Sequence, residues 1–426
     1  MVISNNRHIH SPDKLHEVNQ DVLGITAENA GSYAFRQSDR TTWGAREARA
    51  QLLQKDVSAN LVTEQWVKNH FRWIVWQLAG QVRSFPELEP KIWQKDAAFN
   101  KLVYRYEREI NCASRSAIKK IVERDDIPES YMVLSVSQIS KGLLSNENWD
   151  LELTDGWYPI KASIDEALQL YMRQRKILVG DKISVCGAQL VGPAEPCPVL
   201  EATDAVRLKL AVNGTHRARW NARLGYQRSR HFIVGLRQVL PAGGAVPCVD
   251  VVVCRRYVPR FLEKLPEGGS VFRNQRAEEE ACRVWQREHS KALQRAISAV
   301  EAEFANVDES PDGTAEAADW EEEIKATTDP AERVRLKACQ KEAVENAQRS
   351  AMERRQALMM DEVNARMETE MPSRDVSKFI TFRVCDYPPE GILVHQTREA
   401  LLTVWNPDEA LASRLQEGRR FKIYNL

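Results

Sequence analysis

Asp155-Gly156 stands between two runs that read as strands, Trp149–Thr154 and Trp157–Ile164. Asp-Gly suits a tight reversal in which the backbone takes positive φ, so the pair fixes a hairpin. Ahead of it, Tyr131–Ser140 alternates Met132, Leu134 and Val136 with Val133 and Ser135. Behind it, Asp165–Lys176 has the pattern of a short helix, and Asp181–Leu190 and Val206–Val212 read as two more strands. Few folds accept three strands, a helix and two strands in so short a stretch.

That order is the order of the OB-fold, a five-stranded, partly open barrel that binds oligonucleotides or oligosaccharides. Another small barrel fits the same pattern. Residues 1–40 show no clear periodicity and read as a partly ordered lead-in. Residues 41–127 read as helical. Thr41-Thr42 is placed to cap a helix through Arg46–Gln54, Thr63 starts a second that Gly80 and Pro86 end, and a third runs from Ala97 to Glu123. The second helix carries Val67, Phe71, Ile74 and Leu78 on one face and Trp66 and Trp73 on another. Such a helix is either deeply buried or shares its second face with a partner. The third adds a basic stripe of Lys101, Arg105, Arg108, Arg115 and Lys119. A stripe of this kind is either the wet face of a helix or a surface for an acidic ligand.

Residues 213–240 read as a basic linker. Within 217–230 lie Arg217, Arg219, Arg223, Arg228 and Arg230, with Trp220 and Tyr226 and no acid. Guanidinium groups meet phosphates and rings stack on bases, so this composition suits a single strand; arginine also packs on rings in ordinary linkers. Beyond Gly243-Gly244, Cys248–Leu262 alternates as one long strand. The pattern then turns helical. Glu278–Glu303 is one charged helix, Asp308–Thr314 a loop and Trp320–Lys325 a short helix. Asp329-Pro330-Ala331-Glu332 starts a long helix to about Thr369, with cap, first-turn proline and capping box. Two long helices with narrow apolar stripes suit an antiparallel arm. Strands return at Lys378–Cys385, Ala400–Trp405 and Arg419–Asn425, with a helix at Asp408–Glu417. This second strand unit lacks a last strand by this count.

Lys plus Arg and Asp plus Glu are equal at 60 each, so the chain is not a polycation. The charge is unevenly spread: residues 131–272 carry a net +5 and residues 273–375 a net −8. Eight cysteines include no C-x-x-C pair, and the eight histidines no H-E-x-x-H, so a zinc site has no spacing support. His8 and His10 read as a solvated pair near the terminus. There is no apolar signal region, no membrane-length apolar run, no phosphate-binding glycine motif and no nucleophile elbow. Asp125-Asp126 reads as a helix end. Neither catalytic residues, nor a cofactor, nor a metal is expected, and the physics needed is binding.

Several runs match one known family in order. They include Asn69-His70-Phe71-Arg72-Trp73-Ile74-Val75-Trp76, Tyr104-Arg105-Tyr106, Arg115-Ser116-Ala117-Ile118-Lys119-Lys120 and Glu123-Arg124-Asp125-Asp126. Glu152-Leu153-Thr154-Asp155-Gly156-Trp157-Tyr158, Ala218-Arg219-Trp220, Cys248-Val249-Asp250-Val251 and Phe272-Arg273-Asn274 continue it, and Ser373-Arg374-Asp375-Val376 and Gly418-Arg419-Arg420-Phe421-Lys422-Ile423-Tyr424 close it. From about residue 45 to 426 the chain resembles the C-terminal DNA-binding region of the breast cancer type 2 susceptibility protein family.

The resemblance implies a multi-domain α+β architecture: an all-α helical domain, then two OB-fold β-barrels, the second interrupted by a long antiparallel helical arm called the tower. The expected divisions are a lead-in at 1–40, a helical domain at 41–127, a first OB-fold with basic linker at 128–240, a second OB-fold split into 241–272 and 376–426, and the tower at 273–375. It implies a non-enzymatic, nuclear mediator that binds single-stranded DNA and supports loading of a RecA-type recombinase in double-strand-break repair. A small acidic partner protein, deleted in split hand/split foot, binds the helical domain and first OB-fold in that family. The tower here is short, and the third OB-fold and upstream recombinase-binding repeats of the family lie outside this sequence, which is either a complete chain or an excerpt of a longer one. Candidate DNA contacts are Arg217, Arg219, Trp220 and Arg223 beside the first OB-fold and Arg383, Trp405, Arg419, Arg420, Lys422 and Tyr424 in the second. Candidate partner contacts are Trp66, Trp73, Trp76, Arg105, Arg108, Arg115 and Lys119. Trp157 reads as core before stacking surface. A protein-interaction scaffold with little DNA affinity is the alternative.

Overall fold

The computed structural model describes residues 18–55, 57–141, 149–202, 204–305, 324, 330–387 and 398–426. It divides into two compact units, residues 1–253 with 384–400 and 418–426, and residues 254–383 with 401–417. The expected Asp308–Thr314 loop, the Trp320–Lys325 helix apart from Ile324, and His8 and His10 lie outside the described residues.

The first unit begins with helices α1 (Gln20–Leu23), α2 (Ala45–Leu53), α3 (Glu64–Ser84), α4 (Glu89–Ile92), α5 (Lys95–Tyr106) and α6 (Ala117–Val122), with a two-stranded ribbon, β1 (Phe35–Arg36) and β2 (Thr42–Trp43). Thr63 caps α3, its Oγ1 accepting from Trp66 N at 3.1 Å. Three expectations change here. Thr42 pairs with Arg36 in the ribbon, and α2 starts after Gly44, whose amide donates to Glu47 Oε2 at 2.9 Å. Gly80 does not end α3, which runs on to Ser84. Val18, Val22, Ile25 and Phe35 are buried with Leu52, Phe71, Leu78 and Leu102, so residues 18–40 are core rather than lead-in.

The single helix expected over 97–123 is interrupted. Its α-helical part ends at Tyr106, Glu107–Asn111 forms a π-turn, and Ala113 takes φ 49°. Ser116 then caps α6. The apolar stripe stays in phase across this break, so the periodicity does not reveal it.

The sheet of the first unit holds β3 (Met132–Lys141), β4 (Trp149–Thr154), β5 (Pro159–Ile164), β6 (Lys182–Val185), β7 (Gln189–Val191), β8 (Arg207–Leu210), β9 (Thr215–Arg217) and β10 (Gly225–Tyr226), with helix α7 (Glu166–Arg173) after β5. The order is β7-β8-β5-β4-β3-β6-β9, with β10 also on β3. β3 pairs antiparallel with β4 and β6, while β5 and β8 run parallel. Leu134, Val136, Leu153, Ile160, Ile183 and Leu208 fill its core. The three-strand, helix, strand reading holds, with two corrections. Asp181–Leu190 is two strands, because Gly187 takes φ 75° between them. The segment at 213–240 is no free linker, since β9 pairs with β6 and β10 with β3.

The remaining strands are β11 (Cys248–Arg256), β12 (Arg260–Lys264), β13 (Ser270–Asn274), β14 (Asp375–Asp386), β15 (Glu399–Trp405) and β16 (Arg420–Tyr424), with helices α8 (Gln275–Ala305), α9 (Pro330–Glu370) and α10 (Glu409–Arg414). In the first unit, β16 pairs antiparallel with the start of β11, from Cys248↔Tyr424 to Val252↔Arg420. In the second unit, β12 pairs with β13 and with β14. The long strand expected over 248–262 is thus divided, and the β12–β13 hairpin was not foreseen. Gly268 and Gly269, at φ 90° and 101°, turn it. The seam between α8 and α9 is narrow, built of Ala292, Ala296 and Val300 with Val363 and Met367.

Candidate nucleic-acid interface

The helical part of the first unit and its OB sheet are joined by a buried polar cluster. Glu109, carried inward on the π-turn, takes four hydrogen bonds. Oε2 accepts from Trp66 Nε1 at 3.0 Å and His70 Nε2 at 3.0 Å; Oε1 accepts from the Tyr158 hydroxyl at 2.6 Å and Lys119 Nζ at 2.8 Å. Arg105 Nη1 lies 3.1 Å from His70 Nδ1. A guanidinium only donates, so Nδ1 must accept, and His70 is the neutral tautomer with its proton on Nε2. Burial lowers the His70 pKa to about 4. Burial opposes ionisation of Glu109, but the hydrogen bonds from His70, Lys119 and Tyr158 outweigh it and hold its pKa near about 2. Burial lowers Arg105 to about 10, which leaves it charged at neutral pH.

The Asp155-Gly156 hairpin is clamped by the same surface. Asp155 is buried and accepts from the backbone amides of Ile118 at 2.8 Å, Trp157 at 2.9 Å and Tyr158 at 3.0 Å. Asn69 donates to Trp157 O at 2.9 Å, and Arg105 lies over the Trp157 ring at 5.1 Å. Arg72 reaches Glu152 Oε1 at 2.7 Å. The hairpin is therefore a fastening between the two parts, and Trp157 belongs to it.

Beside this fastening runs a groove of about 1190 Å³, lined from both parts of the unit. It brings together two sets that the sequence kept apart. Trp76, Arg108 and Arg115 come from the expected partner surface, and Trp220 and Arg223 from the expected DNA set. Phe85 and Tyr104, which sequence reasoning missed as site residues, complete it. Tyr104 is 58% exposed and Trp220 44%, and the Trp220 ring centroid lies 5.9 Å from Phe85. The Tyr104-Arg105-Tyr106 run was the only sequence signal for Tyr104.

Much of the expected partner surface is turned inward. Trp66 and Trp73 are buried; Trp66 binds Glu109 and Trp73 donates to Asn69 Oδ1 at 3.0 Å. Arg105 and Lys119, two members of the basic stripe, enter the buried cluster, Arg105 at His70 and Lys119 at Glu109. Arg115 is paired with Asp125 and Glu123. Arg108 is exposed and donates to the neutral Ser114 hydroxyl at 3.3 Å.

The basic segment after β9 is displayed unevenly. Arg219 and Arg223 are exposed, whereas Arg217 Nη2 pairs with the buried Asp181 at 3.2 Å. On β16, Arg420, Lys422 and Tyr424 share one exposed face, and Arg419 just before it is exposed. Arg420 forks onto Asp250 at 2.8 and 2.6 Å and stacks on the Tyr387 ring at 3.6 Å. Tyr424 stacks near His231 at 5.1 Å.

In the second unit, Trp405 on β15 is 51% exposed and lies 4.9 Å from Phe379 on β14. Phe379 lies 6.0 Å from Phe272 on β13, which is 63% exposed. Three rings from three strands thus form one row, with Arg383 half-buried further along β14. The ring row was missed in the sequence because its members are spread over 134 positions, from 272 to 405.

A helical domain fastened to an OB sheet, with rings and cations displayed beside it, defines the class of an OB-type binding protein. Two family models match in that order, described as BRCA2, helical, over residues 16–113 and BRCA2, oligonucleotide/oligosaccharide-binding, domain 1, over residues 116–228. Protein BREAST CANCER SUSCEPTIBILITY 2 homolog A of Arabidopsis thaliana is 29% identical over 434 residues, covering 95% of this chain and 37% of that protein. Homolog B of the same organism is 29% identical over 432 residues, covering 95% and 36%. The chain belongs to the BRCA2 family and spans a little over a third of the length of these relatives.

Proposed function

We propose that this chain is a single-stranded DNA-binding mediator module in the repair of double-strand breaks by homologous recombination. The observation that carries the reading is the row Phe272–Phe379–Trp405, with two of its rings exposed on strands. Rings presented in line on a sheet stack on successive unpaired bases. Arg383 on the same sheet, and Arg419, Lys422 and Tyr424 at β16, fit phosphate and base contacts, as do Arg219, Trp220 and Arg223 after β9. Along the chain, β11, β12 and β13 precede α8 and α9, and β14, β15, α10 and β16 follow them, with one strand after the helix where the OB-fold order has two. We read them as a second OB-fold interrupted by the α8–α9 arm, the tower of the family. Support for a RecA-type recombinase, the small acidic partner deleted in split hand/split foot, and a nuclear site of action rest on the family alone.

Fluorescence anisotropy with a single-stranded oligonucleotide and with a duplex, at two salt concentrations, tests the reading. The single strand is expected to bind more tightly, with affinity falling as salt rises. Trp405→Ala is expected to weaken single-strand binding by roughly 5- to 150-fold, the range for one lost base stack. Absence of single-strand binding at low salt overturns the reading in favour of a protein scaffold.

A further inference from the structure

We infer that the groove between the helical part and the OB sheet of the first unit is itself a seat for unpaired nucleotides, with the helical domain supplying half of it. This rests on the reading of the chain as a single-strand binder and adds a helical wall, with Trp76, Arg108 and Arg115, that the sequence assigned to a protein partner. At about 1190 Å³ the groove is somewhat larger than the roughly 300–1,000 Å³ of small-molecule pockets, which leaves room for more than one nucleotide. Its displayed chemistry is more aromatic than cationic. Tyr104 and Trp220 stand exposed, with Phe85 beside Trp220 and Trp76 half-buried.

The cations expected to greet an acidic polypeptide are mostly engaged. Arg105 and Lys119 lie in the Glu109 cluster, and Arg115 is paired with Asp125 and Glu123. Arg108 and Arg223 remain exposed to the groove. The two acids of the lining are also engaged: Asp155 accepts three backbone amides, and Glu28 accepts from Gln138. Flat rings flanked by a few exposed guanidinium groups match bases with phosphates alongside, and match a run of carboxylates poorly.

The test uses the full chain. An oligothymidylate carrying 5-iodouracil is photo-crosslinked and the crosslinks are mapped by mass spectrometry, with polyglutamate as competitor. Crosslinks are expected at Tyr104 and Trp220. Tyr104→Ala with Trp220→Ala is expected to lower affinity by roughly 25-fold or more, two stacks at about 5-fold or more each, Trp220→Phe to restore most of the loss at its position, and the melting temperature to stay near wild type. The groove inference falls, and the single-strand reading stands, if Trp405→Ala weakens binding while the groove pair does not and no crosslink maps to the groove. It also falls if polyglutamate displaces the groove crosslinks at concentrations that spare those elsewhere, since the seat then prefers an acidic polypeptide. No binding by wild type fails the single-strand reading itself.

Discussion

The Tyr158 hydroxyl donates to Glu109 Oε1 at 2.6 Å, so a residue of the OB hairpin closes the coordination of a carboxylate brought by the helical domain. Both groups are buried. A buried acceptor stripped of one donor keeps its desolvation cost, on the order of 1–3 kcal/mol. Tyr158→Phe is expected to lower the stability of the first unit by about that amount in chemical denaturation, with little change in shape. A variant as stable as wild type would show that water replaces the hydroxyl.

The cluster also sets a pH dependence. His70 has its folded pKa lowered to about 4 by burial, while the unfolded chain titrates near ~6.5. Between these values the unfolded state binds the extra proton, so stability is full above the unfolded pKa and falls with acidification toward about 4. Glu109, lowered to about 2, extends the loss in the same direction below ~4.5. Melting temperatures from pH 7 to pH 4 are expected to drop, and His70→Gln to flatten the upper part of that slope. Equal slopes in both proteins would remove His70 from the account.

Gly156 takes φ 87°, and a Cβ there would meet Leu224 Cδ1 at 3.3 Å. Gly156→Ala is expected to cost about 1 kcal/mol or somewhat more, read by denaturant midpoint. Gly180, also left-handed at φ 91° but with open space around a Cβ, is expected to cost less on the same change.

Arg420 and Lys422 share the exposed face of β16, yet Arg420 is already forked onto Asp250 and stacked on Tyr387. Lys422→Ala is therefore expected to reduce the salt dependence of single-strand binding by about one phosphate's share, and Arg420→Ala to change it less. The reverse ranking would mean that Arg420 leaves Asp250 for DNA.

The hairpin, its flanking strands and the change from helical to strand unit were legible in the sequence because two-residue alternation and Asp-Gly are local signals. The π-turn was not, since Phe99, Leu102, Tyr106, Ile110 and Ala113 keep an α-like spacing through it. The basic stripe misled for the same reason. Periodicity placed Arg105 and Lys119 together but could not show that Glu109 would turn inward to meet Lys119. Trp220 and Arg223, named from the local composition, are exposed, whereas their neighbours Tyr104 and Phe85 come from a separate part of the chain and become neighbours only through tertiary packing. Phe272, Phe379 and Trp405 pose the same difficulty across strands joined by the long helical insertion.

The Glu109 cluster finally bears on where the molecule can be cut. The match to the helical family model stops at residue 113 and the next begins at 116, which invites expression of the pieces separately. A fragment ending there keeps Glu109 and His70 but loses Tyr158 and Lys119, and it strips Asn69, His70 and Arg72 of α3 from Trp157, Tyr158 and Glu152. Such a fragment is expected to aggregate or melt at low temperature, while the intact pair unfolds in a single calorimetric transition. The unit of folding is larger than the unit of sequence homology.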